Sequence, residues 1–129
     1  MELHHLGYVV KCINDFEKNL IFREKVKETV DIFQNSKLAL YKNHSNSFIE
    51  LIEPINRKSF SWNSLIKFGN HFNHVCYKVE DNKELDIIVK SKRLIKVLGP
   101  VPATLFDNKY VCFYFDRNKQ LLEFLLMKN

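Results

Sequence analysis

Hydrophobic and polar residues along the first half of the chain predict one helix among four strands. The stretch LHHLGYVV opens this pattern and is rich in the apolar, β-branched and aromatic residues typical of strands. Between Ile13 and Lys25, apolar residues recur at helical spacing, and Asn14 or Asp15 is placed to cap the helix. Three strand-like stretches follow: VKETVDIF, KLALYK and SFIELIE. The predicted order of elements is therefore β, α, β, β, β.

The second half repeats this order after an interruption. The stretch PINRKSFSWNSLIKFGNH contains a proline, a glycine and many polar residues, which predicts a linker carrying one short helix. FNHVCYKV then matches LHHLGYVV position for position, with His74 at the place of His5. A helical stretch NKELDIIVKSKR, a strand LIKVL, a loop GPVPATLFDN and a hairpin of YVCFYFD and QLLEFLL complete this half. We interpret the repeat as an internal duplication with a period near 69 residues, the separation of His5 and His74.

The duplication predicts an α+β fold made of two tandem βαβββ modules in one compact domain. We expect the first module to span residues 1–56, a linker with a short helix to span 57–71, and the second module to span 72–129. A chain of 129 residues suits one domain, and its 46% of hydrophobic residues are sufficient for a packed core.

Each module offers one histidine from its first strand and one glutamate from its last: His5 with Glu50, and His74 with Glu123. Glu123 lies among apolar neighbours in LLEFLLM, where an ionised carboxylate needs a counter-charge, a proton or water. Two imidazoles and two carboxylates are donors that suit a divalent metal with open coordination positions. If the modules pair about a pseudo-twofold axis, the four groups converge on one point, where they could bind such a metal.

The other three histidines have no counterparts of this kind in the repeat. His44 lies in a predicted turn and His71 in the linker. His4 precedes His5 on the same strand, so the alternation of side chains predicts that it points to the opposite face. We therefore expect these three histidines to be structural or solvated.

Charge adds little to this picture. Lysine and arginine number 20 against 15 acidic residues, for a net charge of +5. The basic residues are scattered, which fits a solvated surface, and an anionic ligand is the weaker alternative. A nucleic-acid site would combine basic residues with exposed aromatic residues on one face, whereas the alternation in NKYVCFYFDRNK fits a core strand. We expect no nucleic-acid partner.

Cysteine usage and hydropathy indicate the compartment. Cys12, Cys76 and Cys112 are odd in number and widely spaced, which favours neither a disulfide framework nor a thiolate zinc site. No apolar run approaches the roughly 18 residues that a membrane-spanning helix needs, and the first residues do not resemble a signal peptide. We expect a cytoplasmic protein without membrane contact.

At these residues the sequence resembles the vicinal oxygen chelate superfamily, which includes glyoxalase I, methylmalonyl-CoA epimerase, extradiol dioxygenases and antibiotic resistance proteins. HHLGYVV, FIELIEP, HFNHVCYKVED and QLLEFLL look like its four ligand-bearing strands, and GPVPATLFDNKYVCFYF looks like the second-half loop and strand of epimerase-like and lactoylglutathione-lyase-like members. The resemblance covers almost the whole chain. It implies paired βαβββ modules whose strands form one curled mixed sheet around a metal site, with His5, Glu50, His74 and Glu123 as the metal ligands.

The resemblance also implies an activity. We expect a metal-dependent isomerase or lyase, similar to methylmalonyl-CoA epimerase or lactoylglutathione lyase, that removes a proton next to a carbonyl. Glu50 and Glu123 are the candidates for base and proton relay, with the assignment between them open. Lys109 or Arg117 is expected to meet an anionic group of the substrate, an acyl thioester or a hemithioacetal. The cofactor is expected to be one divalent ion, of zinc, nickel, cobalt or manganese, and the assembly a homodimer.

Two other functions stay open at this point. One is an iron-dependent dioxygenase, which needs only two histidines and one glutamate as ligands. The second glutamate of this chain would leave fewer coordination positions for oxygen and substrate. The other is a metal-free module that sequesters a small molecule and has no need for all four ligand types. The sequence also leaves open the identity of the substrate and whether the modules pair within one chain or across a dimer.

Overall fold

The strands of this protein form one mixed sheet whose order is symmetric about its centre. The computed structural model describes residues 1–21 and 24–128, and in that part of the chain eight strands follow the order β2-β3-β4-β1-β5-β8-β7-β6. In chain order the elements are β1 (Glu2–Val9), α1 (Ile13–Glu17), β2 (Glu24–Asp31), β3 (Ser36–Lys42), β4 (Phe48–Pro54), α2 (Trp62–Phe68), β5 (His71–Val79), α3 (Asn82–Lys92), β6 (Ile95–Ala103), a 3-10 helix (Thr104–Phe106), β7 (Lys109–Phe115) and β8 (Leu121–Leu126).

The sheet order reflects the duplication. The first half contributes β2-β3-β4-β1 and the second half contributes the mirror sequence β5-β8-β7-β6. The two halves meet where β1 pairs antiparallel with β5, while β1 with β4 and β5 with β8 are the parallel pairs. The predicted α+β fold of two βαβββ modules in a curled mixed sheet is therefore confirmed, and the halves pair within one chain.

Two element predictions were wrong in extent. The helix expected between Ile13 and Lys25 ends at Glu17, and β2 begins at Glu24 because this stretch pairs with β3; residues 22 and 23 lie outside the described residues. The loop expected at 99–108 is in its first half a continuation of β6, which pairs with β7 as far as Ala103. β6 is an edge strand, where proline is tolerated because its nitrogen needs no ladder partner.

Alternate residues of the strands pack on the two faces of the sheet. One face, here called the outer face, packs against α1 and α3, and it buries Leu51 and Phe124 of the sheet and Leu85 of α3. The opposite face, here called the inner face, contains the largest core cluster. Its buried members are Val9, Leu38, Leu40, Ile52, Cys76, Ala103, Leu105, Phe106, Val111, Phe113, Leu121 and Leu125.

The 3-10 helix closes the inner face. It contacts β2 and β3, strands of the other half, and Leu105 and Phe106 insert into the inner core cluster. The Nζ of Lys27 on β2 donates a hydrogen bond to the carbonyl oxygen of Thr104 at 3.2 Å. The curl of the sheet is thus held by contacts between its two ends. Among the described helices, none combines the length and the apolar character that crossing a bilayer requires.

We predict that Leu105→Ala lowers the free energy of unfolding by about 2–4 kcal/mol, because it leaves a cavity where the 3-10 helix joins the core. Leu105 is 3% exposed. Urea denaturation measures the change, and Ile87→Ala is the control, since Ile87 is 69% exposed and should shift stability by less than about 0.5 kcal/mol. Equal effects of the two substitutions would contradict this role of Leu105.

Candidate metal centre

Four buried polar side chains from the four central strands meet on the inner face: His5 on β1, Glu50 on β4, His74 on β5 and Glu123 on β8. The two imidazole Nε2 atoms are 3.0 Å apart. Oε1 of Glu123 lies 3.1 Å from Nε2 of His5 and 3.0 Å from Nε2 of His74. Oε1 of Glu50 lies 3.5 Å and 3.4 Å from the same two atoms. The structure thus brings the four sequence-predicted residues together.

One row of the sheet explains the position of His74. Gly7 on β1 pairs with Glu50 on β4 on one side and with His74 on β5 on the other. A Cβ atom at residue 7 would lie 2.1 Å from Cε1 of His74, which is closer than any real contact. The imidazole of His74 therefore lies across the space that a side chain at residue 7 would fill.

In the neighbouring row of the sheet, Cys76 takes the place beside His5 that Gly7 takes beside His74. Cys76 on β5 pairs with His5 on β1 and with Glu123 on β8, as Gly7 does with its own partners. Burial raises the pKa of the Cys76 thiol to about 12, so this side chain is neutral at ordinary pH. Cys76 therefore packs beside the donors and adds no charge to them.

Charge complementarity holds the cluster together. Burial alone would lower the pKa of His74, but the adjacent carboxylates of Glu123 and Glu50 raise it overall. Burial would likewise raise the pKa of Glu123, but the imidazoles of His5 and His74 lower it overall. The favoured state is therefore two ionised carboxylates beside positive charge.

The donor atoms fit a single divalent ion. Adjacent donors bound at about 2.0–2.2 Å from one ion in tetrahedral or octahedral geometry lie about 3.0–3.5 Å from one another. The distance between the two Nε2 atoms and the four distances from Nε2 to Oε1 fall in the same interval, from 3.0 to 3.5 Å, and all four donors lie within 4.8 Å of one another. Within the described chain, Oε1 of Glu123 is buried without a hydrogen bond, despite its short distances to both imidazoles. The donors are thus directed at a common point.

Comparison with solved structures identifies the architecture. A hypothetical protein from Bacillus halodurans C-125 is 24% identical, with a TM-score of 0.82 over 99% of this chain and 95% of that one. Methylmalonyl-CoA epimerase from Mycobacterium tuberculosis is 20% identical, with a TM-score of 0.84 over 99% and 89%. A variant of the Streptomyces coelicolor epimerase in complex with 2-nitronate-propionyl-CoA is 17% identical, with a TM-score of 0.80 over 100% and 99%.

The chain has the fold of these methylmalonyl-CoA epimerases. The fold class expected from the sequence is therefore confirmed. No family model matches the sequence, and no curated protein matches it.

Two further polar side chains contact the histidines, and neither was predicted from the sequence to have a role at the site. Nδ1 of His4 lies 2.7 Å from Nδ1 of His5, and Oδ1 of Asn73 lies 2.9 Å from Nδ1 of His74. The expectation that His4 points away from His5 was wrong, because β1 is irregular at this residue. The duplication contained the signal, since His4 and Asn73 occupy the same place before the repeated histidine.

The two predicted substrate-binding cations lie in different places. Lys109 lines a surface cavity of about 190 Å³ together with His4 and Lys78, on the side of the cluster where His4 contacts His5. Arg117 lines a cavity of about 490 Å³ on the outer face, under α3. Lys109 therefore shares a cavity with His4, which contacts the cluster, whereas Arg117 lies on the other face of the sheet.

We predict that Gly7→Ala displaces the imidazole of His74 and lowers the free energy of unfolding by about 1–3 kcal/mol through overpacking. Urea denaturation measures stability, and titration with Co²⁺ measures the affinity of the donor cluster for a divalent ion. We expect Gly7→Ala to bind Co²⁺ more weakly than the wild type. Cys76→Ala, at the corresponding place in the second module, is the control because it removes atoms. We expect that variant to retain Co²⁺ affinity. Wild-type stability and affinity in Gly7→Ala would show that the contact imposes no constraint.

Proposed function

We propose that this protein is a metal-dependent isomerase or lyase that removes a proton from a carbon next to a carbonyl. The observation that carries the proposal is the convergence of two imidazoles and two carboxylates, with donor separations of 3.0–3.5 Å and a buried Glu123 oxygen without a hydrogen bond. The likeness to methylmalonyl-CoA epimerases supports an epimerase-like reaction.

In this proposal His5, Glu50, His74 and Glu123 hold one divalent ion, of zinc, nickel, cobalt or manganese. When bound, the ion supplies positive charge that stabilises the negative charge developing on the carbonyl oxygen of the substrate. The protein supplies a dry surrounding for this charge. Phe106 stacks on His5 with ring centroids 5.3 Å apart, and Phe113 packs edge-on against His74 at 5.7 Å.

The two glutamates are placed for proton transfer from opposite sides. Glu50 is on β4 and Glu123 is on β8, and the histidine-bearing strands β1 and β5 lie between them. A substrate carbon held near the imidazoles would thus face one carboxylate on each side. One carboxylate removes the proton and the other returns it, which is the requirement for inverting a carbon centre.

We further propose that the substrate is an anionic acyl thioester, with a hemithioacetal as the second candidate. Complexes of the epimerases with 2-nitronate-propionyl-CoA and with methylmalonyl-CoA support the thioester. Lys109 is our proposed contact for the anionic group, because Lys78 lines the same cavity as a second cation, and the two lysines outnumber its one acidic residue, Asp107. A homodimer, expected from the resemblance, and a cytoplasmic location, expected from the three free cysteines, complete the proposal.

The first prediction of this proposed function is that purified, dialysed protein retains about one divalent ion per chain. Glu123→Ala removes one donor and should lose the ion, whereas Glu80→Ala removes an exposed carboxylate that pairs with Lys128 and should retain it. Elemental analysis of both variants beside the wild type provides the measurement. Protein without metal, with Glu123→Ala as stable as the parent, would favour the metal-free sequestering module.

The second prediction concerns the reaction. Metal-loaded protein should exchange the α-proton of methylmalonyl-CoA with solvent deuterium, and Glu50→Gln and Glu123→Gln should each slow this exchange by about 10²–10⁴-fold. Mass spectrometry of the recovered thioester measures the exchange. If metal-loaded protein exchanges the α-proton of neither this thioester nor a hemithioacetal, the proposed chemistry is excluded.

A further inference from the structure

We propose that His4 and Asn73 are positioning residues, which a pair of equivalent β-bulges turns toward His5 and His74 so that each imidazole presents Nε2 to the common centre. The inference rests on the proposed metal-binding function. It assigns to these two residues the selection of the tautomer that can bind a metal.

The first bulge is at His4. In the antiparallel pairing of β1 with β5, Leu3 is opposite Tyr77 and His5 is opposite Cys76. Between these two pairs the chain advances by two residues on β1 but by only one on β5, so His4 is the additional residue of the bulge. A bulge of this kind re-aims a side chain, which in a regular strand would point to the face opposite that of its neighbour.

The second bulge is at Asn73. Further along the same pairing, Gly7 is opposite His74 and Tyr8 is opposite Phe72. Here the additional residue is on β5, and it is Asn73. The two bulges therefore occupy the same place in the two modules, immediately before each histidine, as the pseudo-twofold relation between β1 and β5 requires.

Each bulge residue bonds the histidine that follows it. Oδ1 of Asn73 lies 2.9 Å from Nδ1 of His74, and Nδ1 of His4 lies 2.7 Å from Nδ1 of His5. Adjacent residues of a regular strand lie on opposite faces and do not form such bonds. These two contacts exist because both bulges are present.

The chemistry of imidazole gives the contacts a function. A neutral imidazole carries a hydrogen on one nitrogen and a lone pair on the other. Oδ1 of Asn73 only accepts, so Nδ1 of His74 keeps its hydrogen, and the proton that leaves when a metal binds is the one on Nε2, the atom that faces Glu50 and Glu123. The same tautomer follows for His5 when Nδ1 donates to His4. Such partners of metal-binding histidines orient the ring and increase its affinity for metal.

The surroundings of His4 are built to hold its ring. It stacks on Phe48 with centroids 5.3 Å apart and packs edge-on against Phe106 at 5.0 Å. At the second bulge, Nε2 of Gln120 donates a hydrogen bond to the backbone oxygen of Asn73 at 3.3 Å. Because both bulge residues are held in place, substitutions that keep the shape of His4 or Asn73 can separate the effect of packing from that of hydrogen bonding.

The test is titration of metal-free protein with Co²⁺, followed by the visible absorption of the bound ion. His4→Phe keeps a ring between its aromatic neighbours but has no nitrogen, and Asn73→Leu keeps the size but has no oxygen. Each should lower the Co²⁺ affinity about 10–100-fold, with a change in the absorption spectrum. His44→Phe, which replaces an exposed histidine, should leave affinity and spectrum unchanged.

Rescue variants distinguish a bonding role from a merely structural one. His4→Asn and Asn73→His exchange the two bonding groups that the protein itself uses at this place, so both should recover most of the lost affinity. Equal losses in these variants and in His4→Phe and Asn73→Leu would overturn the inference. If Asn73→Leu does not fold, Asn73→Ala, which only removes atoms, provides the same comparison with Asn73→His.

The outcomes also separate this inference from the proposed function. Wild-type protein that binds no Co²⁺ would overturn the metal site, and the inference with it. Tight wild-type binding that His4→Phe and Asn73→Leu both retain would overturn the inference alone. Tight wild-type binding, weakened in these variants and recovered in the exchange variants, is the result we expect.

Discussion

The burial of two carboxylates in an apolar sheet is the constraint on which the rest of this structure depends. Glu50 is 3% exposed and Glu123 is 1% exposed. Removing one partner from a buried ion pair typically costs about 3–5 kcal/mol, because it leaves an uncompensated charge. Both glutamates therefore need positive charge within a few ångströms. The imidazoles of His5 and His74 meet that need, at 3.0–3.5 Å.

The order of the strands follows from this constraint. Each histidine is on the first strand of its module and each glutamate on the last, so the parallel pairs β1 with β4 and β5 with β8 must be adjacent. The antiparallel pair of β1 and β5 then brings both histidines to the centre. The sheet order is thus the arrangement in which two carboxylates and two imidazoles share one point on the inner face.

The sequence predicted this arrangement because the pattern is local and occurs twice. Each module offers one histidine on its first strand and one glutamate on its last strand, and the duplication doubled the evidence for the set of four. The errors came from non-local pairing. β6 extends past Pro102 because an edge strand tolerates proline, and Glu24 and Lys25, the last residues near the predicted helix, belong to β2 because they pair with β3.

The bulges at His4 and Asn73 were missed for a related reason. A bulge is a property of two strands and not of one, so the alternation within β1 placed His4 on the wrong face. The clash that excludes a side chain at Gly7 likewise depends on the ring of His74, a residue of another strand. The four donor residues could therefore be predicted from the pattern of each strand alone. The contacts that orient them could not, because they depend on the register between β1 and β5.

The pseudo-symmetry of the site is incomplete, and this matters for the proposed reaction. The backbone relation makes Glu50 and Glu123 equivalent, but their surroundings differ, since Gly7 leaves room for His74 where Cys76 fills the space beside His5. A twofold site with identical halves would treat the two faces of a substrate alike. Two equivalent carboxylates in unlike surroundings suit proton removal on one face and return on the other while the substrate is held in a single orientation.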